Sequence, residues 1–170
     1  GSLAGTPGVG IVGAGWIVRE CHLPSYAAAG AEVVGITSRD AERRAALAAA
    51  HGIHAFAGWE EMVDDPAVEV IDIAYPPHVQ PELIGAIVAR GGVRGILAQK
   101  PLAATLAEAE ATVRACEEGG VVLAVNQNMR WDHSIRALKR LLDEGRLGDP
   151  VMAQITMHAR VGWMPYADGY

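Results

Sequence analysis

Short, almost wholly apolar runs alternate along this chain with alanine-rich stretches of helical period, and that alternation does most to narrow the folds open to it. A strand apolar on both faces must be covered on both, and helices returning between parallel strands supply the cover, so the pattern calls for βα units. Strands are expected at 9–12, 32–37, 70–74, 95–98 and 121–125, with a weaker one at 53–56. Helices fit 16–29 (bent by Pro24), 41–51, 60–64, 81–90 and 106–118. Gly30, Gly52, Gly91 and Gly119 follow four of them as stop signals, and Thr105 with Glu108 makes a capping box.

Beyond this run, 135–144 carries Ile135, Leu138, Leu141 and Leu142 on one stripe and stops at Gly145. Residues 151–160 alternate like a half-exposed strand, with Val151, Ala153, Ile155 and Met157 on one face. The expected organisation is therefore an α/β, doubly wound parallel sheet over 1–150, followed at 151–170 by the first strand of a second α/β domain. A chain of 170 residues, half of them apolar, has material for a full core and does not read as disordered. Its formal charge of -6 offers no broad basic face, which argues against nucleic acid. Cys21 and Cys116 have neither metal-ligand spacing nor a disulfide framework, so no metal site and a reducing cytoplasm are expected. No apolar run approaches the roughly 20 residues that cross a bilayer, and no membrane association is expected.

Chemistry concentrates just after the strands. Gly13-Ala14-Gly15 follows the first strand and opens a helix, the arrangement that receives a dinucleotide pyrophosphate. Gly13 permits the tight turn and Gly15 lets backbone approach phosphate; the third fingerprint position is Val18 rather than glycine, and plain structural punctuation is the competing reading. The second strand ends Thr37-Ser38-Arg39 instead of in a carboxylate. A hydroxyl and a guanidinium suit a 2'-phosphate, with Arg43 one turn on, so NADP is preferred and NAD remains possible. The alternative makes Ser38 a helix cap and Arg39 a solvated residue, with Asp40 near the ribose.

Tyr75-Pro76-Pro77-His78 follows the fourth strand, where His78 is either near the cofactor or simply solvated. After the fifth comes Gln99-Lys100-Pro101, holding one of only two lysines. Pro101 restricts the local backbone, and the Lys100 ammonium suits hydrogen bonding to a substrate oxygen, stabilising alkoxide or moving a proton; otherwise it is a surface lysine. After the sixth, Asn126-Gln127-Asn128-Met129-Arg130-Trp131 gathers polar groups that line a nicotinamide or substrate, or else make turn bonds while Trp131 anchors the next helix in the core. Asp132 reads as a cap.

In this order the motifs resemble the glucose-fructose oxidoreductase/inositol dehydrogenase family, Gfo/Idh/MocA. The likeness runs through Gly10-Ile11-Val12-Gly13-Ala14-Gly15-Trp16-Ile17, Ser38-Arg39-Asp40, Tyr75-Pro76-Pro77, Gln99-Lys100-Pro101-Leu102, Arg130-Trp131 and Gly145-Arg146-Leu147-Gly148-Asp149-Pro150. It implies an N-terminal Rossmann domain, a second domain with an open sheet through which members often associate, and NAD(P)-dependent redox chemistry on sugars or cyclitols. It further implies that Lys100 matches the lysine of the family's Glu-Lys-Pro motif. The residues expected to face the cofactor, from the motifs and the loops together, are Gly13, Ala14, Gly15, Trp16, Ile17, Ser38, Arg39, Arg43, Tyr75, Pro76, His78, Gln99, Lys100, Gln127 and Arg130. Gln99 departs from the motif's glutamate, and Gln80 stands where many members have histidine. The family's catalytic histidine belongs to the second domain, and His158 is not in a position to replace it. The expectation is the cofactor domain of an oxidoreductase, homo-oligomeric at full length, for a sugar- or polyol-like small molecule. A non-catalytic NAD(P) sensor and redox-neutral sugar chemistry on a tightly held NAD are the alternatives.

Overall fold

A computed structural model of the chain describes residues 6–156 and 158. Six strands, β1 (Val9–Val12), β2 (Val33–Thr37), β3 (His54–Ala55), β4 (Val70–Ile73), β5 (Gly95–Ala98) and β6 (Val122–Val125), form one sheet in the order β3-β2-β1-β4-β5-β6. Every pairing is parallel. Between them run α1 (Leu23–Ala29), α2 (Ala41–His51), α3 (Trp59–Asp64), α4 (Gln80–Arg90) and α5 (Leu106–Glu118). The doubly wound sheet expected from the alternation is therefore present.

Period-2 side-chain alternation sends each strand's residues to two separate cores. Val12, Ile71, Ile73 and Ile96 pack with Met62 and Val63 of α3 and with Leu83, Ile84 and Ile87 of α4. Val9, Ile11 and Ile36 pack on the other side with Val18, Leu23 and, from α2, Leu47 and Ala48. The capping box of α5 is complete, Thr105 and Glu108 each satisfying the other's backbone N–H.

Two expectations change. The helix expected over 16–29 is helical from Trp16 but contains a π-helical turn, Val18–His22, before α1. Leu23 N–H donates to the Val18 carbonyl, and the wider turn sits immediately ahead of Pro24, which has no N–H and whose ring crowds the preceding turn. Second, residues 151–156 are outside regular structure, with Val151 99 % exposed. A strand needs a ladder partner, and among the described residues none pairs with this segment. Met157 and the remainder of the expected strand, except His158, lie outside the described residues.

The chain divides into one compact unit through Gln127 and a second from Asn128 onward. The second holds a 3-10 turn, Asn128–Trp131, and helix α6 (His133–Asp143), with Asp132 capping the helix by accepting from Ser134 N–H at 2.9 Å.

Candidate cofactor site at the strand carboxyl ends

Strand register sets the site's floor. Thr37, Val12, Ile73, Ala98 and Val125 are ladder partners in one continuous row at the carboxyl ends. The next residue along donates across in turn: Gly13 N–H to Thr37 O (2.8 Å), Ala74 to Val12 (2.9 Å), Gln99 to Ile73 (3.2 Å) and Asn126 to Ala98 (2.8 Å). The loops thus leave the sheet at a common level. The chain leaves β1 toward β2 on one side and later returns to β4 on the other, opening the crevice in which doubly wound sheets bind ligands.

The two glycines of the first turn have different reasons for being there. Gly13 has φ +124°, and a Cβ on it would lie 2.9 Å from the Ala74 carbonyl oxygen, so the β1–β4 junction itself requires glycine. A Cβ on Gly15 would meet nothing within 4 Å. The fold makes no demand at position 15, yet backbone is left bare there, where Arg19 N–H donates to the Gly15 carbonyl and the helix begins. Ala14 and Val18 are buried in the core beneath, and Trp16 stands at the rim, 36 % exposed. Gly13→Ala should lower unfolding stability by about 2 kcal/mol through backbone strain, while Gly15→Ala should stay within about 0.5 kcal/mol of the parent. Urea unfolding of the two variants checks the contrast.

At the end of β2 the cap is Asp40 rather than Ser38. Asp40 Oδ1 accepts Arg43 N–H at 2.9 Å, and its other oxygen lies 3.4 Å from the Arg43 guanidinium. Ser38 Oγ accepts Asp40 N–H at 3.3 Å. The Arg39 guanidinium carbon lies 5.7 Å from the Tyr75 ring centroid, so the loops after β2 and β4 meet. Arg44, which sequence reasoning passed over, turns inward and donates to Ser38 O (3.1 Å) and Ala57 O (3.2 Å), fastening this loop from below.

The loop after β5 is held by a residue also missed as a holder. Gln80, 0 % exposed at the start of α4, donates through Nε2 to the carbonyls of Gln99 (2.9 Å), Pro101 (2.9 Å) and Leu102 (3.4 Å). Its Oε1 accepts Gln99 N–H at 2.7 Å. The Lys100–Pro101 peptide is cis, and the Lys100 side chain is exposed, with no ion pair among the described residues. Gln99 Oε1 accepts Lys100 N–H at 3.0 Å, and Gln99 Nε2 lies 3.2 Å from His22 Nε2. Behind it, His22 Nδ1 lies 2.7 Å from Asp72 Oδ2, which also accepts from Tyr26 OH at 2.9 Å. Burial, reinforced by the Asp72 carboxylate, pushes the Tyr26 phenol far above its ordinary pKa and keeps it a donor.

Of the other expected residues, Pro76 and His78 are exposed in the turn before α4, where Val79 N–H donates to Pro76 O at 3.0 Å. Gln127 is exposed just past β6. Arg130 belongs to the unit that begins at Asn128, its guanidinium 5.7 Å from the Trp131 ring centroid. Trp131 is 64 % exposed and is not the core anchor that a buried reading of it required. Among the described residues no group of His, Cys, Asp and Glu side chains has the arrangement to hold a metal ion, and no helix is long and apolar enough to cross a membrane.

Known proteins share this architecture. Residues 8–127 match the oxidoreductase family with an NAD-binding Rossmann fold, Gfo/Idh/MocA. A 1,5-anhydro-D-fructose reductase of Ensifer adhaerens is 36 % identical over 162 residues, 95 % of this chain and 47 % of that protein. An NADP+ scyllo-inositol 2-dehydrogenase of Bacillus subtilis is 34 % identical over 114 residues, 67 % of this chain and 30 % of that one. The solved structure of a Bordetella pertussis dehydrogenase in complex with NADH and UDP-GlcNAcA superposes with a TM-score of 0.76 at 27 % identity, covering 85 % of this chain and 44 % of that one. The chain thus spans less than half the length of these relatives. With the glycine turn, the strand order and the family match in agreement, this chain belongs to the Gfo/Idh/MocA oxidoreductase family, and residues 8–127 are its NAD(P)-binding Rossmann part.

Proposed function

We propose that the chain carries the cofactor half of an NADP-preferring oxidoreductase that moves hydride between a nicotinamide and the carbinol carbon of a sugar- or cyclitol-like substrate. The observation that carries this reading is the bare backbone at Gly15. A side chain there would meet nothing in the protein, and the position lies at a helix start beside the β1/β4 crevice, where a dinucleotide's phosphates come closest to backbone. Residues 1–150 serve this role, and 151–170 begin the substrate and oligomerisation domain of a homo-oligomer working in the reducing cytoplasm, where Cys21 and Cys116 remain thiols.

The nicotinamide, when bound, supplies the hydride acceptor or donor. Backbone N–H groups of Ala14, Gly15 and Ile17, at a helix start, meet the negative charge of a pyrophosphate. Ser38 and Arg39 read the 2'-phosphate, with Arg43 adding positive charge; the commitment of Asp40 to capping α2 takes the nearest carboxylate away from that role. Tyr75, Pro76 and His78 wall the crevice beside Arg39, and Gln99 faces it from the loop after β5. Lys100 donates to the substrate oxygen and stabilises negative charge as it develops there. Gln127 contributes from just past β6. The names of the relatives, a reductase of an anhydrosugar and a dehydrogenase of a cyclitol, support the substrate class.

Calorimetric titration of the chain with NADP and with NAD tests the proposal. NADP is expected to bind at least tenfold tighter, about 1.4 kcal/mol. Arg39→Ala should remove most of that preference, and Gly15→Val should weaken both nucleotides without lowering the melting temperature. Binding of neither nucleotide, or equal binding of the two with Arg39→Ala silent, would overturn the respective part.

A further inference from the structure

Asp72 breaks an otherwise apolar strand. Its ladder neighbours are Ile11 and Leu97, and the residue is 1 % exposed on the sheet face covered by the π-helical turn and α1. A carboxylate in such a place must be met by donors. Two come from the helical segment opposite, His22 and Tyr26, spaced to share a face.

The hydrogen-bond chemistry then leaves little freedom. An ionised carboxylate only accepts, so His22 Nδ1 carries the proton in the bond to Asp72. A neutral ring so protonated has a bare Nε2, which only accepts. What faces it is the amide end of Gln99, so the Gln99 NH2 group turns toward the ring and its Oε1 toward Lys100 N–H, which is the arrangement found. We infer that His22 is a positioning residue for Lys100: a neutral, Nδ1-protonated imidazole anchored on Asp72 whose bare Nε2 receives the Gln99 NH2 group and so holds the Gln99 oxygen on the Lys100 N–H.

A second proton on the ring reverses the instruction. Nε2–H would require the Gln99 oxygen, and the NH2 end would then confront Lys100 N–H, donor against donor. The groups facing the ring are Asp72 from β4, with Tyr26 of α1 behind it, and Gln99 from the loop after β5. A glutamate at 99 has two acceptor oxygens and would serve Lys100 N–H and an imidazolium together. Gln99 is therefore matched to a neutral His22 and glutamate to a charged one. The bearing of this relay on hydride transfer rests on the role proposed above for Lys100; the state of the ring does not.

The test needs no cofactor. Long-range proton–nitrogen correlation spectra of the full 15N-labelled chain near neutral pH should show His22 protonated on Nδ1 alone, its resonances identified by their loss in His22→Gln. On acidification the Lys100 amide proton should shift with the same midpoint as the His22 ring, and in Gln99→Leu that coupling should vanish while the ring keeps its Nδ1 proton. Gln99→Glu, with an acceptor oxygen for each neighbour, should keep the Lys100 amide hydrogen-bonded throughout the acidification. A wild-type ring protonated on Nε2, a Lys100 amide indifferent to the ring's titration, or a Lys100 amide in Gln99→Glu that shifts with the ring as the wild type does would overturn the inference. Failure of NADP to bind would leave these readouts untouched, so the two proposals fail separately.

Discussion

Gln80→Glu is expected to lower the unfolding free energy by about 3 to 5 kcal/mol, the range found when a buried polar partnership is broken and a charge is left uncompensated. The native amide points its NH2 group at three carbonyls, those of Gln99, Pro101 and Leu102. A carboxylate of the same shape presents an oxygen to the same three, so attraction becomes repulsion at a site with no solvent exposure. Protonation of the new side chain would restore one donor, and the variant should accordingly recover part of its stability in acid. Gln80→Leu removes the amide without adding charge and should cost less, about 2 kcal/mol, for the carbonyls left unmet, the Gln99 N–H keeping its bond to the Ile73 carbonyl. Urea unfolding checks both, with a shift in midpoint at constant slope separating lost stability from a changed unfolded state.

Asp72→Ala should be comparably damaging, at about 3 to 4 kcal/mol, because a buried donor, His22, and a half-buried one, Tyr26, lose their common acceptor and a cavity opens at the strand. Tyr26→Phe removes only one of the two donors and should cost about 1 kcal/mol. If the two substitutions had equal effects, His22 would contribute nothing through Asp72. Native-state hydrogen exchange adds a spatial check, since loosening should spread from β4 to the turn at His22 and to the loop after β5.

Those two residues also show where sequence reasoning reaches its limit. The strands were legible because parallel strands buried on both faces leave uninterrupted runs such as Gly-Ile-Leu-Ala at 95–98, and the helices because of their apolar period, their glycine stops and the caps at Thr105 and Asp132, whereas the α2 cap is Asp40 and not the Ser38 that the sequence offered. The glycine turn was legible because Gly13 answers to a local backbone need. The relay was not. His22 and Asp72 are 50 residues apart, and His22 and Gln99 are 77 apart, so only the closed sheet brings them together. A signal was present in the lone acid inside Val-Ile-Asp-Ile, where alternation into an apolar core leaves a carboxylate needing partners, but nothing local names them. Gln80 gave less warning still, since an amide at a helix start usually faces water. Arg44 differs from Arg43 by a single position on α2, and only the loop it reaches decides that Arg44 is the fastener while Arg43 pairs with Asp40.

The common level at which the loops leave the sheet bears on how such a protein can be re-engineered. That level is set by main-chain pairing among Thr37, Val12, Ile73, Ala98 and Val125, so the loop at Tyr75-Pro76, or Ser38-Arg39 together with the Arg44 that holds it, can be transplanted between homologues while the platform beneath stays intact. The Gln99–Leu102 segment is different cargo. Its carbonyls are gripped from α4, and a graft there travels successfully only with its own Gln80 counterpart.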